Sequence, residues 1–398
     1  MLKAYISPLG IGLGHASRCV SLGRRLKESG FEVYFSTYGE AINYVKEHMN
    51  EAEIIEGGEE MMWRQGPDGQ PDIRGTLTSI SQLKKFINHI NREKDNIERI
   101  SPDVVISDSR ISTLMASYYL DFPTVVVLNQ PKLLLAPLID GSLNIFSKSH
   151  GLLEEDYGLL SKLIEKIVNS AITRLWALSH ASLIADFPPP DTISRFHTNG
   201  LPQSLALRTV FTGPLIEPKC KDDQLEDLVL ILISGPGAER RSLWNKLSKV
   251  LEKIPEDLKK FHFIISLGEV GEARSYQINE NVTVYSWLPN KWDLLSKAKL
   301  VVSRAGHTTI SEALVCGKPL LMIPVPGQTE KYENARNIHR MGLGVMLEQA
   351  YVEEKFFPTL RYLLNNETIC RRVSEFRNRY RDWDFLDRAL GVIMSVIY

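Results

Sequence analysis

Two short polar clusters in this sequence have residue types and spacings suited to chemistry. The first is Ser7-Pro8-Leu9-Gly10-Ile11-Gly12-Leu13-Gly14-His15, with Arg18 one turn further on. Its glycines, Gly12 and Gly14 above all, let the backbone turn tightly and admit a bulky polar group at the start of a helix. A dinucleotide fingerprint would need glycine where His15 stands and an acidic residue where the second strand ends in Ser36 and Thr37, so that reading fails on both counts. The partial positive charge at a helix N-terminus disfavours an imidazolium, which makes His15 a candidate base. The bland reading is that His15 only caps its helix. A carboxylate behind the ring would improve it, and Asp108, ending the apolar run 104–107, is the candidate. Capping of the following helix is an equal alternative for Asp108.

The second cluster, Ser303-Arg304-Ala305-Gly306-His307-Thr308-Thr309-Ile310-Ser311-Glu312, again reads as strand, loop and helix. Gly306, His307 and Thr308 would offer backbone N–H groups to a pyrophosphate, and the threonines their hydroxyls. Glu312 lies one turn after Thr308, where its carboxylate could accept both hydroxyls of a ribose. Gln328, Glu330 and Lys331 follow the apolar run 320–324. Their charge pattern alone is that of a solvated helix face, and they gain weight only from their place beside the first loop.

The elements that must position these groups alternate regularly. Residues 3–7, 31–37, 102–107, 123–128, 182–185 and 209–212 read as strands, and residues 16–29 and 113–120 as helices. The continuous β-branched runs at 102–107 and 123–128 are those of parallel strands buried on both faces. The rhythm is that of a doubly wound α/β sheet. A polar stretch near 57–75 interrupts it and reads as a loop or lid, and 148–180 reads as a long leucine-rich helical stretch. The charged segment 217–227 carries no apolar periodicity, so residues 214–227 are taken as a linker. The pattern then restarts, with strands at 228–233, 261–266, 282–285, 300–303 and 320–324 and helices at 241–254 and from 354 onward. The expected organisation is a first domain at 1–213, a second at 228–382, and a last helix at 383–398.

Composition bounds the answer. The chain has 398 residues, 43% hydrophobic and 24% charged, with a net charge of −1; it is long enough for two domains and carries no basic field for nucleic acid. Four well-separated cysteines, Cys19, Cys220, Cys316 and Cys370, argue against a zinc site or a disulfide framework and fit a reducing compartment. No signal peptide is read, and the apolar runs are shorter than the ~20 residues needed to span a bilayer. A cytoplasmic protein, peripheral on the cytoplasmic face of a membrane at most, is expected.

The Gly-x-Gly-His loop, the stretch 304–319 and its continuation Pro324-Val325-Pro326-Gly327-Gln328-Thr329-Glu330-Lys331-Tyr332-Glu333-Asn334-Ala335 resemble glycosyltransferase family 28, of MurG-like enzymes. The resemblance implies a GT-B fold: two Rossmann-like domains facing across a cleft, the last helix crossing back to the first. It implies a UDP-sugar bound mainly by the second domain. Glu312 would hold the ribose, Gly306, His307 and Thr308 the diphosphate, and the backbone at Leu288 the uracil. Glu330 and Lys331, with Gln328, would touch the donor sugar. Gly235 and Gly237 resemble the glycine turn that closes on the donor, and Arg304 or His307 would stabilise the leaving group. Gly12, Gly14, Arg18 and Asn129 would form an acceptor or phosphate loop. Two departures stand out: Asn129-Gln130-Pro131 lacks a carboxylate that MurG-like enzymes often carry there, and Glu330-Lys331 replaces Gln-Gln.

The implied reaction is an inverting transfer of a sugar, N-acetylglucosamine or another hexose, to a hydroxyl of a lipid-linked acceptor, with His15 as base and Asp108 behind it. No cofactor and no metal are expected, and Asp382-Trp383-Asp384, which mimics a metal motif, reads as surface salt bridges. Two alternatives stay open. The loop 12–19 also resembles that of a UDP-sugar hydrolase of the same fold, in which water is the acceptor. A non-catalytic nucleotide-sugar-binding subunit is the other, against which the retention of both loops weighs.

Overall fold

The computed structural model describes all residues except 59–63, 66–70, 73–79, 136–157, 223, 270, 272 and 289. The expected lid at 57–75 and the first part of the leucine-rich stretch therefore lie largely outside the described residues. The chain divides into two compact units. Among the described residues, the first takes the chain through Glu217 and then Asp384–Tyr398, and the second holds Pro218–Trp383.

The first unit is built from β1 (Lys3–Pro8), α1 (Leu13–Glu28), β2 (Glu32–Thr37), α2 (Glu40–His48), β3 (Glu53–Glu56), α3 (Ile80–Ile100), β4 (Val104–Asp108), α4 (Ile111–Tyr119), β5 (Thr124–Leu128), α5 (Leu159–Trp176), β6 (Ala181–Ile184) and β7 (Thr209–Phe211). The strands form a seven-stranded sheet in the order β3-β2-β1-β4-β5-β6-β7, and all are parallel. Every residue of β4 and β5 is buried, because helices cover both faces of a parallel sheet. On one face Ala4, Ile6, Val104 and Ile106 pack under Cys19, Leu22 and Leu26 of α1. On the other, Tyr5 and Val105 meet Ile97 and Ile100 of α3. This alternation follows from the period of two along a strand.

The second unit repeats the plan with β8 (Leu228–Leu232), α6 (Gly237–Leu251), β9 (His262–Ser266), β10 (Ser275–Asn279), β11 (Val282–Tyr285), α7 (Lys291–Lys297), β12 (Leu300–Ser303), α8 (His307–Val315), β13 (Leu320–Met322), α9 (Thr329–Arg340), β14 (Gly344–Met346), α10 (Val352–Leu364) and α11 (Glu367–Tyr380). Its seven strands run β10-β11-β9-β8-β12-β13-β14. All pairs are parallel except β10 with β11.

The last helix, α12 (Phe385–Ile397), belongs to the first unit although it follows the second in sequence. Leu386, Ala389 and Ile393 join the core beside α1. Phe385 sits on Gly213, whose φ of 82° and missing Cβ leave room for the ring; a Cβ there would lie 2.2 Å from the Phe385 Cδ1 atom.

One expectation needs correction. Cys220 and Cys316 form a disulfide, with Cα atoms 5.5 Å apart and 96 residues between them in sequence. A separation of that size carries no spacing signal, since the fold alone brings the two together; Cys19 and Cys370 are free thiols. The boundary between the two units, Glu217/Pro218, falls within the stretch 214–227 taken as a linker, whose residues Leu215 and Ile216 are buried, Leu215 within the first unit's core.

Candidate active site

In each unit the chemistry-bearing loops leave the carboxyl ends of two adjacent strands at the point where strand order reverses. In the first unit these strands are β1 and β4, paired in register Ser7↔Ser107 and Pro8↔Asp108. In the second they are β8 and β12, paired Leu232↔Ser303. Chain leaving one strand turns one way and chain leaving its neighbour turns the other, which opens a crevice between them.

At the first crevice, Gly12 takes a φ of 74° and α1 begins without a side-chain cap. His15, in its first turn, turns its ring to β4. The His15 Nδ1 lies 2.8 Å from the Asp108 Oδ1 atom. Asp108 does not cap α4: that helix begins after Arg110 with no side-chain cap, and both Asp108 oxygens are engaged elsewhere. Ser109, immediately after Asp108, has a φ of 54°, a left-handed turn that costs a non-glycine residue energy and recurs at functional loops.

Arg18 departs from its expected place on a phosphate loop. It is 4% exposed, and its guanidinium clasps Asp108 with two nitrogens: Nε donates to Oδ2 at 2.5 Å, and Nη2 to Oδ1. The same Nη2 lies 2.8 Å from His15 Nδ1 and 3.5 Å from the Asn129 Oδ1 atom. The Cys19 thiol donates to Asp108 Oδ2 at 3.4 Å. Burial of Asp108 by itself would raise its pKa, but Arg18 and then His15 hold the carboxyl well below the usual range. The carboxylate is therefore ionised behind the imidazole. Asn129, placed just past β5 and buried, faces this cluster through Arg18, while Gly12 and Gly14 shape the turn before it.

Behind the same strand ends lies a polar network that patterning missed. Glu93 of α3 is fully buried and lies 2.9 Å from Arg110 Nη2. It accepts from Tyr5 Oη at 3.0 Å, Ser36 Oγ at 2.5 Å and Thr113 Oγ1 at 3.0 Å. Arg110 also donates to the Gly57 carbonyl at 2.7 Å. The only signal in the sequence is a run of polar residues, Tyr5, Ser7, Ser36 and Thr113, at positions that face inward.

At the second crevice α8 begins at His307 with Gly306 as its N-cap residue and no side-chain cap, which leaves its first N–H groups open to an anion. Ala305 holds a φ of 58°, and Gly306 lies against Ser234 of the loop after β8: a Cβ on it would be 3.6 Å from Ser234 Oγ. Thr308 is part-exposed in the first turn. Glu312, one turn on, is buried and accepts from Lys291 Nζ at 2.6 Å, a partner that spacing did not reveal. Leu288 is buried just after β11.

Arg304 is enclosed rather than presented to a ligand. It is fully buried, donating through Nη1 to the Ile323 carbonyl at 3.3 Å and to Gln349 Oε1 at 2.5 Å. Burial pulls its pKa down to about 10, against the opposing pull of Glu239, so it remains a cation that braces the loop from behind. The expectation that its side chain meets the leaving group is corrected accordingly; His307 is buried as well, and the part-exposed groups at the loop are Gly306 and Thr308 at the helix start.

Gln328 and Lys331 converge on a carboxylate that sequence reading passed over. Glu239, in the first turn of α6, is buried. Its Oε2 lies 3.0 Å from Lys331 Nζ and its Oε1 accepts from the Gln328 amide. Burial lowers the Lys331 pKa and Glu239 counters it. Gly235, at a φ of 110°, closes over this group: a Cβ would lie 2.5 Å from Glu239 Oε2. Gly237 opens α6, and Glu330 lies in the first turn of α9. In the metal mimic Asp384 forms a surface ion pair, with Arg25, and also caps α12, accepting from the Leu386 and Asp387 N–H groups. Among the described residues, no three His, Cys, Asp or Glu side chains gather as metal ligands would.

Two parallel-dominated sheets, each with a loop-and-helix site at its strand-order reversal, are the architecture of the GT-B fold. Solved structures with this fold cover nearly all of the chain. The glycotransferase of kitacinnamycin superposes with a TM-score of 0.66 at 17% identity, covering 99% of this chain and 98% of that one. The calicheamicin glycosyltransferase gives 0.65 at 14% identity, covering 100% and 98%. Residues 230–379 match the glycosyltransferase family 28 C-terminal domain. An uncharacterized glycosyltransferase of Methanosarcina acetivorans is 25% identical over 379 residues, 94% of this chain and 93% of the relative. The UDP-N-acetylglucosamine–N-acetylmuramyl-(pentapeptide) pyrophosphoryl-undecaprenol N-acetylglucosamine transferase of Thermosipho africanus is 28% identical over 158 residues, 39% of this chain and 41% of that enzyme. Over its second unit the chain thus resembles the family 28 glycosyltransferases, and over nearly its whole length the Methanosarcina glycosyltransferase.

Proposed function

We propose that the chain transfers a hexose, N-acetylglucosamine foremost, from a UDP-sugar to a hydroxyl of a lipid-linked acceptor, with inversion at the anomeric carbon. The observation that carries this reading is the His15–Asp108 pair at 2.8 Å, at the carboxyl end of β1 and β4. With Nδ1–H donated to Asp108, Nε2 keeps its lone pair. It takes the proton of the acceptor hydroxyl as the new C–O bond forms, and the bond to the diphosphate breaks with its electron pair leaving on UDP. Positioned base catalysis of this kind is worth about 10²–10⁴-fold.

The open start of α8 receives the diphosphate and Glu312 the ribose, displacing Lys291. Gln328 and Lys331, held by Glu239, and Glu330 lie toward the donor sugar. The donor and the acceptor class are those in the name of the Thermosipho relative. No metal step is part of the proposal.

A lipid acceptor accords with α5, which leaves Leu159, Leu160, Leu163 and Ile167 exposed on the helix that also carries Lys162 and Lys166. Such a face suits the surface of a membrane, and among the described residues no helix is long and apolar enough to cross one. The loop motif shared with a hydrolase gives water as the competing acceptor. UDP release from a panel of UDP-sugars, with and without a lipid-extract acceptor, tests both: full-rate release without acceptor would assign water. His15→Ala should lose about 10²–10⁴-fold of UDP release with UDP binding intact, and unchanged turnover removes His15 from the mechanism.

A further inference from the structure

We propose that Arg18 is a positioning residue that neutralises Asp108 and thereby keeps the His15 imidazole uncharged and ready to accept a proton. The inference rests on the reading of His15 as the base. An isolated Asp–His pair stabilises the imidazolium and so favours the protonated form, which cannot act as a base. Here the imidazole meets two opposite charges at the same distance: the Asp108 Oδ1 atom at 2.8 Å and Arg18 Nη2 at 2.8 Å. Equal and opposite charges at equal range contribute fields of similar size and opposite sign, so the carboxylate orients the ring without trapping a proton on it.

The rest of the surroundings point the same way. Arg18 grips both Asp108 oxygens and is almost fully enclosed, so the pair is fixed and little screened by water. The Cys19 thiol also donates to Asp108, and burial pushes that thiol's pKa well up, so it remains a neutral donor. Asn129, from beyond β5, is uncharged and lies against Arg18. The start of α1 adds its own partial positive charge beneath His15. An imidazolium would face that helix end and the guanidinium together, with one carboxylate shared between them.

The test is an NMR titration of His15 in the full chain, alongside the pH profile of kcat/KM for UDP release. In Arg18→Met the carboxylate loses its fixed counter-ion, and His15 should titrate about one to two pH units higher. The acid limb of the activity profile should move with it, and Arg18→Lys should restore most of both. An unmoved titration in a folded Arg18→Met protein overturns the proposal and leaves Arg18 a packing residue. Should the methionine variant fail to fold, Asp108→Asn, which keeps Arg18, should lower the His15 titration by a similar amount; no change there overturns the proposal too. A titration that moves while the activity limb stays would uphold the Arg18–Asp108–His15 coupling and reject His15 as the base.

Discussion

At the residue scale, the chemistry turns on buried carboxylates that each serve a cation. Asp108 is enclosed with Arg18, so its removal leaves an uncompensated guanidinium in the interior. Asp108→Asn should cost about 3–5 kcal/mol of stability, read by denaturant unfolding, apart from its effect on turnover. Because the folded carboxyl titrates below its ordinary value, its stabilisation is present above about pH 3.9 and is lost as pH falls through the folded value. The wild type should therefore weaken in acid more steeply than Asp108→Asn. Gly235→Ala tests the second crevice. Its Cβ would strike the Glu239 carboxylate at a backbone angle that favours glycine, so the Gln328–Lys331 group should be displaced and KM for the donor raised at least several-fold. An unchanged KM would detach that group from donor binding.

At the scale of elements, patterning located most strands because buried parallel strands are written as unbroken β-branched runs, as in 104–107 and 125–128. It missed β3, β10 and β14, which are short, polar or edge strands, and it missed α3, whose buried Glu93 and His89 look like surface residues in a helical pattern. Charge alone cannot mark a buried ion pair, since the compensating Arg110 comes from another helix loop 17 residues later in sequence. Glu93→Gln should destabilise the first unit by about 3–5 kcal/mol through the stranded Arg110; a loss below about 1 kcal/mol would show that water compensates it. The α12 anchor gives a second check. Phe385 packs on Gly213 and on Phe187 at 6.0 Å between ring centroids, and Phe385→Ala should cost about 3–5 kcal/mol, seen in the unfolding of the first unit.

At the scale of the whole molecule, the chain closes its first unit only with its last helix. A chain ending at Trp383 uncovers Leu386's place beside α1, so calorimetry should show the first unit's transition lowered or lost while that of the second persists. The Cys220–Cys316 bond ties the start of the second unit to the end of α8. Reduction, or Cys316→Ser, should cost about 2–4 kcal/mol, measured as a fall in the second unit's Tm.

What the sequence by itself determined was local: the glycine turn before His15, the strand–loop–helix around Gly306, the buried strands, and the restart of the pattern that makes two units. Glycine placement, apolar runs and helix starts act over a few residues, so they can be read along the chain. What only the tertiary structure decided was which side chains meet. His15 and Asp108 are 93 residues apart, Glu239 and Lys331 92, and Cys220 and Cys316 96. Strand order sets those encounters, because register places β1 beside β4 and β8 beside β12. Arg18 and Arg304 make the same point: both were read as facing a ligand, and packing turned one onto Asp108 and enclosed the other behind its loop.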